Sequence, residues 1–320
     1  MAVNLDKPML WKADVAASVD KYNDWFVNFA PQAFRTTRIQ TTEDVKTALR
    51  LTENMTNVRP SILVQYPEIL PTLRMSTCPP IAVDRLVGLA DVKKSLVSAM
   101  EREKRIPPRM ARDTLNSQLT NISDVIEKMA DPDIFIWLGR SDPPTETEIY
   151  RAATIVADRL CGAVANPIVR NAQEKRQLSV IKMWLEERGY TQLSSGKGIR
   201  FDAMMPGTFS FRMNVPVKKA DGSKPTNIPI DAVIMPISSK QGDFPLFFEA
   251  KSAGDFTNTN KRRKEEARKV TQLRSTYGIG VQFNLFLCGY FDSGYLGYGA
   301  ADGIDWVWEH RIDDLALFGV

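Results

Sequence analysis

Histidine is almost absent from this chain. His310 is the single histidine among 320 residues, so active sites that need two or more histidines are excluded. The cysteines Cys78, Cys161 and Cys288 are odd in number and far apart. They are typical of reduced thiols in a cytoplasmic protein, and they do not suit a disulfide framework or a cysteine-rich zinc site.

Long apolar runs are also missing. No uninterrupted apolar segment approaches the roughly 18 residues of a membrane span. The start of the chain has no basic segment followed by an apolar stretch, so no secretory signal is expected. We therefore expect a cytoplasmic protein with no membrane association.

Two short apolar runs carry charged residues where apolar ones are expected. They cover residues 227–235 and 244–251, are bounded by turn formers, and predict two buried, neighbouring strands. Carboxylates inside such strands are costly unless they are paired, protonated or bound to a metal. Asp231, Glu249 and Lys251 therefore predict a cation site with an amine that acts on water. The alternative is a structural salt bridge between Asp231 and Lys251.

Helical patterns dominate the first part of the chain. Residues 1–145 read as mostly helical, with helices expected over 14–29 and 42–55 and several prolines between the helices. No catalytic pattern is visible there.

Residues 146–320 are predicted to form the catalytic domain. Helices over 146–163 and 167–188 are expected first, with Pro167 in the first turn of the second helix. Strands, a basic helix and further strands follow. This order predicts an α/β fold with a mixed central sheet flanked by helices.

Glu174 is a candidate third acid. It lies one helical turn before Leu178, on the apolar face of the helix over 167–188. A carboxylate on this face could join the other two. The alternative is that Glu174 lies at the edge of the apolar stripe and pairs with Arg170 or Lys175.

Positive charge is concentrated directly after the second apolar run. The segment from Lys251 to Arg274 holds eight Lys and Arg residues against three Asp and Glu, whereas the whole chain has a net charge of +4. A basic segment beside carboxylates indicates a polyanionic substrate, with phosphate groups as the contact. A solvated helix with Lys–Glu pairs is the alternative.

These segments together resemble the XamI-like family of type II restriction endonucleases, within the PD-(D/E)XK nuclease superfamily. The resemblance extends over about residues 166–290, and three segments carry it: 229–231, 249–251 and 252–266. Ile230 separates Pro229 from Asp231, whereas the superfamily pattern has proline and aspartate adjacent. The resemblance implies a restriction-endonuclease-like core.

The resemblance also implies site-specific hydrolysis of phosphodiester bonds in double-stranded DNA. The implied cofactor is Mg²⁺, for which Mn²⁺ can substitute, and the ends would carry 5′-phosphates. Asp231, Glu249, the backbone carbonyl of Ala250 and, as a further candidate, Glu174 would be the metal ligands. Lys251 would orient or deprotonate the attacking water.

The segment after Lys251 is expected to contact DNA, although part of it could simply be a turn in which Thr259 or Asn260 caps a helix. The predicted contacts are Thr257, Asn258, Thr259, Asn260, Lys261, Arg262, Arg263, Lys264 and Arg268. A homodimer suits a palindromic site, and the helical region 1–145 is expected to recognise DNA or to form the dimer. A cognate DNA methyltransferase is expected in the same system, but not as a stable subunit.

Two other functions remain open from the sequence. A structure-specific nuclease of the same fold, for DNA repair or junction resolution, would use the same carboxylates. A DNA-binding protein without catalytic activity would keep the charged residues for stability alone.

Overall fold

The structure is a computed structural model that describes residues 2–194, 200–218, 224–240, 242–257 and 259–320; for residues 260–262 it describes the backbone only. By packing, the chain divides into two compact units: Met1–Phe29 with Arg170–Val320, here called the sheet unit, and Ala30–Val169, here called the helical unit. The functional roles assigned to residues 1–145 and 146–320 stay predictions.

The helices and strands are numbered in chain order. The helices are α1 (Pro8–Leu51), α2 (Pro60–Gln65), α3 (Leu70–Met75), α4 (Val83–Ala90), α5 (Lys94–Glu103), α6 (Arg112–Met129), α7 (Glu146–Glu186), α8 (Thr259–Tyr277) and α9 (Ser293–Ala301). The strands are β1 (Thr191–Gln192), β2 (Thr208–Val217), β3 (Thr226–Met235), β4 (Leu246–Ala253), β5 (Phe283–Gly289) and β6 (Asp305–Trp308).

Two helices are longer than predicted. Breaks were expected between residues 29 and 42 and between 163 and 167, but α1 continues through Pro31 and α7 continues through Pro167. A proline inside a helix removes one hydrogen bond and costs about 3 kcal/mol. Packing outweighs this cost, since α7 buries Leu160 before its proline and Leu185 after it.

Helix α7 is long and apolar enough, by length and composition, to cross a membrane. Length and composition are weak evidence for a membrane span, because a core helix of a soluble protein meets the same criterion. The structure buries 44% of the apolar window inside the protein. The expectation of no membrane association stays a prediction.

The helical unit has its own apolar core. Amphipathic helices bury one face each because their apolar side chains recur at helical spacing. The fully buried members of this core include Leu63, Leu73, Leu86, Leu96 and Phe135. The predicted helical character of this part of the chain is confirmed.

The sheet unit is built on one mixed sheet. Its described strands form a six-stranded sheet in the order β1 to β6. Strand β3 pairs antiparallel with both β2 and β4. The pairs β1–β2, β4–β5 and β5–β6 are parallel. The parallel pairs after β4 need crossover connections, which α8 and α9 provide. The predicted α/β fold is confirmed.

Helices cover both faces of this sheet. Val270 of α8 and Leu296 of α9 pack in the core on one face. Ile181 and Leu185 of α7 pack in the core on the other face, together with Leu315 of the 3-10 turns over Glu309–Phe318. The sheet is therefore buried on both sides, and a charged residue on a central strand enters an apolar environment.

The sheet places Asp231 and Glu249 side by side. The β3–β4 ladder ends at the pair Ala232 and Phe248, so the two acids follow directly on adjacent strands. Across from Asp231 on β2, Arg212 has a φ of 51° and no ladder partner. A left-handed backbone costs a non-glycine residue about 1–2 kcal/mol, and such strain tends to cluster at functional sites.

Candidate active site

Asp231 is a part-buried carboxylate with few partners. Its Oδ2 accepts a hydrogen bond of 2.9 Å from the backbone N–H of Ala250. Burial and then the negative charge of Glu249 raise the pKa of Asp231 to about 6, against the opposing charge of Lys251. The two acids are therefore close enough for their negative charges to repel.

Glu249 is a deeply buried acid, at 4% exposure. Its Oε1 accepts hydrogen bonds from the ammonium of Lys251, at 3.0 Å, and from that of Lys269, at 2.5 Å. Its Oε2 is buried with no hydrogen-bond partner among the described residues. An unpartnered carboxylate oxygen beside a second carboxylate fits a hard divalent cation.

Lys251 remains a cation in this arrangement. Burial lowers the pKa of its ammonium. The charges of Glu249 and Glu266 and the hydrogen bond to Glu249 raise this pKa by more, so the pKa of Lys251 lies above its ordinary value. A protonated lysine donates hydrogen bonds and stabilises negative charge. The predicted role of Lys251, to orient or deprotonate the attacking water, stays a prediction.

Glu174 pairs with Arg212, which lies 38 positions further along the chain. Its Oε1 accepts from Nε at 3.1 Å and from Nη2 at 2.7 Å. The charge of Glu174 also contributes to the raised pKa of Asp231, so the acid lies near the site. Among the described residues, no group of three or more Asp, Glu, His or Cys is arranged to hold a metal ion. A ligand role for Glu174 stays a prediction.

The loop after β4 is only partly described. Thr257 is exposed, and its N–H and hydroxyl both donate to the carboxylate of Asp255. Thr259 begins α8, is 5% exposed and donates to the carbonyl of Phe256 at 3.1 Å. Asn258 and the side chains of three further predicted contacts lie outside the described residues: Asn260, Lys261 and Arg262.

The remaining predicted DNA contacts lie on α8. Lys264 and Arg268 are exposed. The guanidinium of Arg263 lies over the ring of Tyr298, 3.7 Å from its centroid. Such stacking fixes the plane of the guanidinium and leaves its edge free to donate.

Sequence reasoning missed three residues of this site. Lys269 was counted in the basic segment without a role, although its neighbour Val270 is buried on the inner side of α8. Arg212 gave no signal, because its contact with Glu174 depends on the fold. Gln177 is 1% exposed, and its Nε2 donates to the carbonyls of Lys251, at 3.2 Å, and Phe286, at 3.3 Å.

A mixed sheet that brings two carboxylates and a lysine together, beside a helix rich in Lys and Arg, is typical of enzymes that hydrolyse nucleic-acid phosphodiesters. Comparisons with known proteins agree. The model of the XamI restriction endonuclease family matches residues 53–308. The chain is also 53% identical over 317 residues to the type II restriction enzyme SalI of Streptomyces albus G, covering 99% of each chain. No solved structure matches.

The chain belongs to the XamI restriction endonuclease family. The predicted family is therefore confirmed, and with it the identification as a type II restriction endonuclease. The similarity reaches well beyond residues 166–290, where the sequence motifs had placed it.

Proposed function

We propose that this protein hydrolyses phosphodiester bonds at a specific site in double-stranded DNA, requires Mg²⁺ and leaves 5′-phosphate ends. The observation that carries the proposal is the placement of Asp231 beside Glu249, with the ammonium of Lys251 on Glu249 Oε1. Family membership supplies the class of substrate, and the basic helix α8 is consistent with a polyanion.

Asp231 and Glu249 are the groups that would hold the metal. Oε2 of Glu249, which has no partner in the described part of the chain, and the Asp231 carboxylate offer oxygen ligands of the kind that Mg²⁺ and Mn²⁺ bind. The carbonyl of Ala250 and the carboxylate of Glu174 are further candidates. When bound, a divalent ion lowers the pKa of water and offsets charge on the phosphoryl group.

Two side chains of the protein, Lys251 and Gln177, have roles in the proposed reaction. Lys251 orients the attacking water and stabilises the negative charge that grows on the phosphate oxygens. Gln177 holds the backbone carbonyl of Lys251 from α7, so the lysine approaches the phosphate from a fixed strand. The exposed Lys264 and Arg268 contact the DNA backbone, which gives affinity without sequence information.

Further parts of the proposal concern assembly and location. A homodimer would present two equal sites to a palindrome, and the region 1–145 would recognise DNA or form the dimer. A DNA methyltransferase of the same system would protect the host sites without binding stably to this chain. The protein would act in the cytoplasm, where DNA and reduced thiols are found.

A plasmid digestion tests the proposal. Purified protein should cut plasmid DNA into discrete fragments with Mg²⁺ or Mn²⁺, and EDTA should stop the reaction. Asp231→Ala and Lys251→Ala should abolish cutting while DNA binding in a gel-shift assay persists. Lys182→Ala is the matched control, because the Lys182 side chain on α7 is 42% exposed and forms an ion pair with Glu186 on the same helix.

The other readings correspond to distinct results. Normal cutting by both site variants would overturn the assigned mechanism. A smear instead of discrete bands, or a preference for branched DNA, would indicate a structure-specific nuclease. Binding without any cutting would indicate a DNA-binding protein that lacks catalysis.

A further inference from the structure

Two ammonium groups converge on one carboxylate oxygen. Lys251 and Lys269 both donate to Oε1 of Glu249, while Oε2 of the same side chain has no partner among the described residues. The two lysines are about equally buried, with 23% and 22% of their side chains exposed. One lysine is enough to neutralise one carboxylate, so the second needs another explanation.

Lys269 reaches the site from a different element than Lys251. It comes from α8, which is anchored by the buried Val270 and Leu273, and its ammonium also donates to the carbonyl of Pro229 on β3 at 3.3 Å. Lys269 therefore bridges α8, β3 and β4 at the point where the two acids lie. It occupies an oxygen that is a candidate metal ligand.

The neighbouring acids Asp231 and Glu266 have hydrogen-bond donors of their own. Asp231 accepts from the N–H of Ala250, and Glu266 accepts from the hydroxyl of Tyr295 at 2.5 Å. The shortest contact between an ammonium and a carboxylate in the site is the one from Lys269 to Glu249. The geometry thus pairs Lys269 with the same acid that Lys251 already serves.

We propose that Lys269 is a positioning residue that acts as a built-in cation on Glu249 and competes with the divalent metal ion for that carboxylate. The inference rests on the proposed function, because it takes Glu249 as a metal ligand. A unit positive charge beside a ligand oxygen repels a divalent ion. The ammonium on Oε1 therefore weakens metal binding by Glu249, including at the neighbouring Oε2, until it moves away.

The flexible stem of Lys269 provides the route for this movement. A lysine ammonium is a compact charge on a flexible four-carbon chain. Lys251 lies on the same strand as Glu249, two residues away, whereas Lys269 lies on α8. A DNA phosphate entering the site would attract the Lys269 ammonium and free Oε1. Lys269 therefore couples metal loading to the arrival of DNA.

Binding of Mn²⁺ to the protein without DNA tests the proposal. Free Mn²⁺ is measured by electron paramagnetic resonance for the unaltered protein, Lys269→Met, Lys269→Arg and Lys182→Met. Lys269→Met should bind Mn²⁺ about tenfold more tightly than the unaltered protein. Lys269→Arg keeps the charge and should restore the weaker binding. Lys182→Met removes a part-exposed charge from α7 and should change Mn²⁺ binding by less than about twofold.

Two further measurements separate the explanations. Glu249→Gln should lose the Mn²⁺ site, which shows that the measured site is this one, and thermal melting checks that each variant folds. If Glu249→Gln loses binding but Lys269→Met binds no more tightly than the unaltered protein, the role of Lys269 is wrong and the metal site stands. If Glu249→Gln binds Mn²⁺ normally, both the metal site and the inference fall.

Discussion

Buried carboxylates are paired differently in the two units of this protein. In the helical unit, Arg74 and Glu101 form an ion pair with side chains 10% and 11% exposed. Two guanidinium nitrogens of Arg74 reach the two oxygens of Glu101, and a third donates to the carbonyl of Ile81. In the sheet unit, Glu249 shares one oxygen between two lysines and leaves the other unpartnered among the described residues.

This difference separates a structural ion pair from a binding site. The Arg74–Glu101 pair is satisfied within its own unit, so nothing remains for a ligand to supply. The sheet unit places Asp231 beside Glu249 although their charges repel, and it raises the pKa of Asp231 to about 6. Unfavourable groups of this kind persist where function requires them.

The largest expected difference concerns catalysis. Lys251→Met should lower the single-turnover rate of DNA cleavage by about 10²–10⁴-fold, because the charge next to the reacting phosphate is lost. Glu101→Gln should leave that rate within about twofold. Rates on a plasmid substrate at saturating Mg²⁺ check both values. A rate loss in Glu101→Gln equal to that in Lys251→Met would remove the distinction between the two regions.

For the free energy of unfolding, the larger effect is expected in the helical unit and the smaller one in the sheet unit. Glu101→Ala leaves the Arg74 guanidinium buried without its carboxylate, so the free energy of unfolding should fall by about 3–5 kcal/mol. Lys251→Met should change it by less, since Lys269 still neutralises Glu249. Urea titration followed by circular dichroism measures both. Comparable losses would mean that the charges of the sheet unit also serve the fold.

The pH dependence of stability sharpens the comparison further. Because the folded-state pKa of Asp231 lies above its ordinary value, the folded protein binds this proton more tightly than the unfolded chain does. The proton on Asp231 therefore stabilises the folded protein at low pH. This contribution to the free energy of unfolding is lost as the pH rises through about 6. Asp231→Asn should be more stable than the unaltered protein by about 2–3 kcal/mol at pH 8. Urea titrations at pH 8 and pH 4.5 should show the gain shrinking at the lower pH; an equal gain at both would contradict the assignment.

The smallest effect concerns DNA affinity. Lys264→Ala on α8 should reduce the slope of log affinity against log salt by about 1, because one phosphate contact is lost. The control is Lys46→Ala in the helical unit, where Lys46 is exposed and pairs with Glu43. Fluorescence anisotropy over a salt series, with EDTA present, gives both slopes. Equal changes would extend the DNA contact surface to the helical unit.

Much of the fold could be predicted because its signals are local. Short apolar runs between turn formers indicated β3 and β4, and the alternation of side chains along a strand placed Lys251 on the same face as Glu249. The contact between their side chains agrees with that placement. The lengths of α1 and α7 were predicted wrongly. Pro31 and Pro167 are local signals for a helix break, and burial on both sides of each proline outweighed them.

The sequence by itself determined the family and the mixed α/β fold, and it singled out Asp231 and Glu249 as candidate acids, because residue type and short spacing suffice for each. Only the tertiary structure decided which cations face those acids. Lys269 lies 20 positions from Glu249 and Arg212 lies 38 positions from Glu174. Such contacts depend on how a helix or a neighbouring strand packs against the sheet, which no periodicity in the chain encodes.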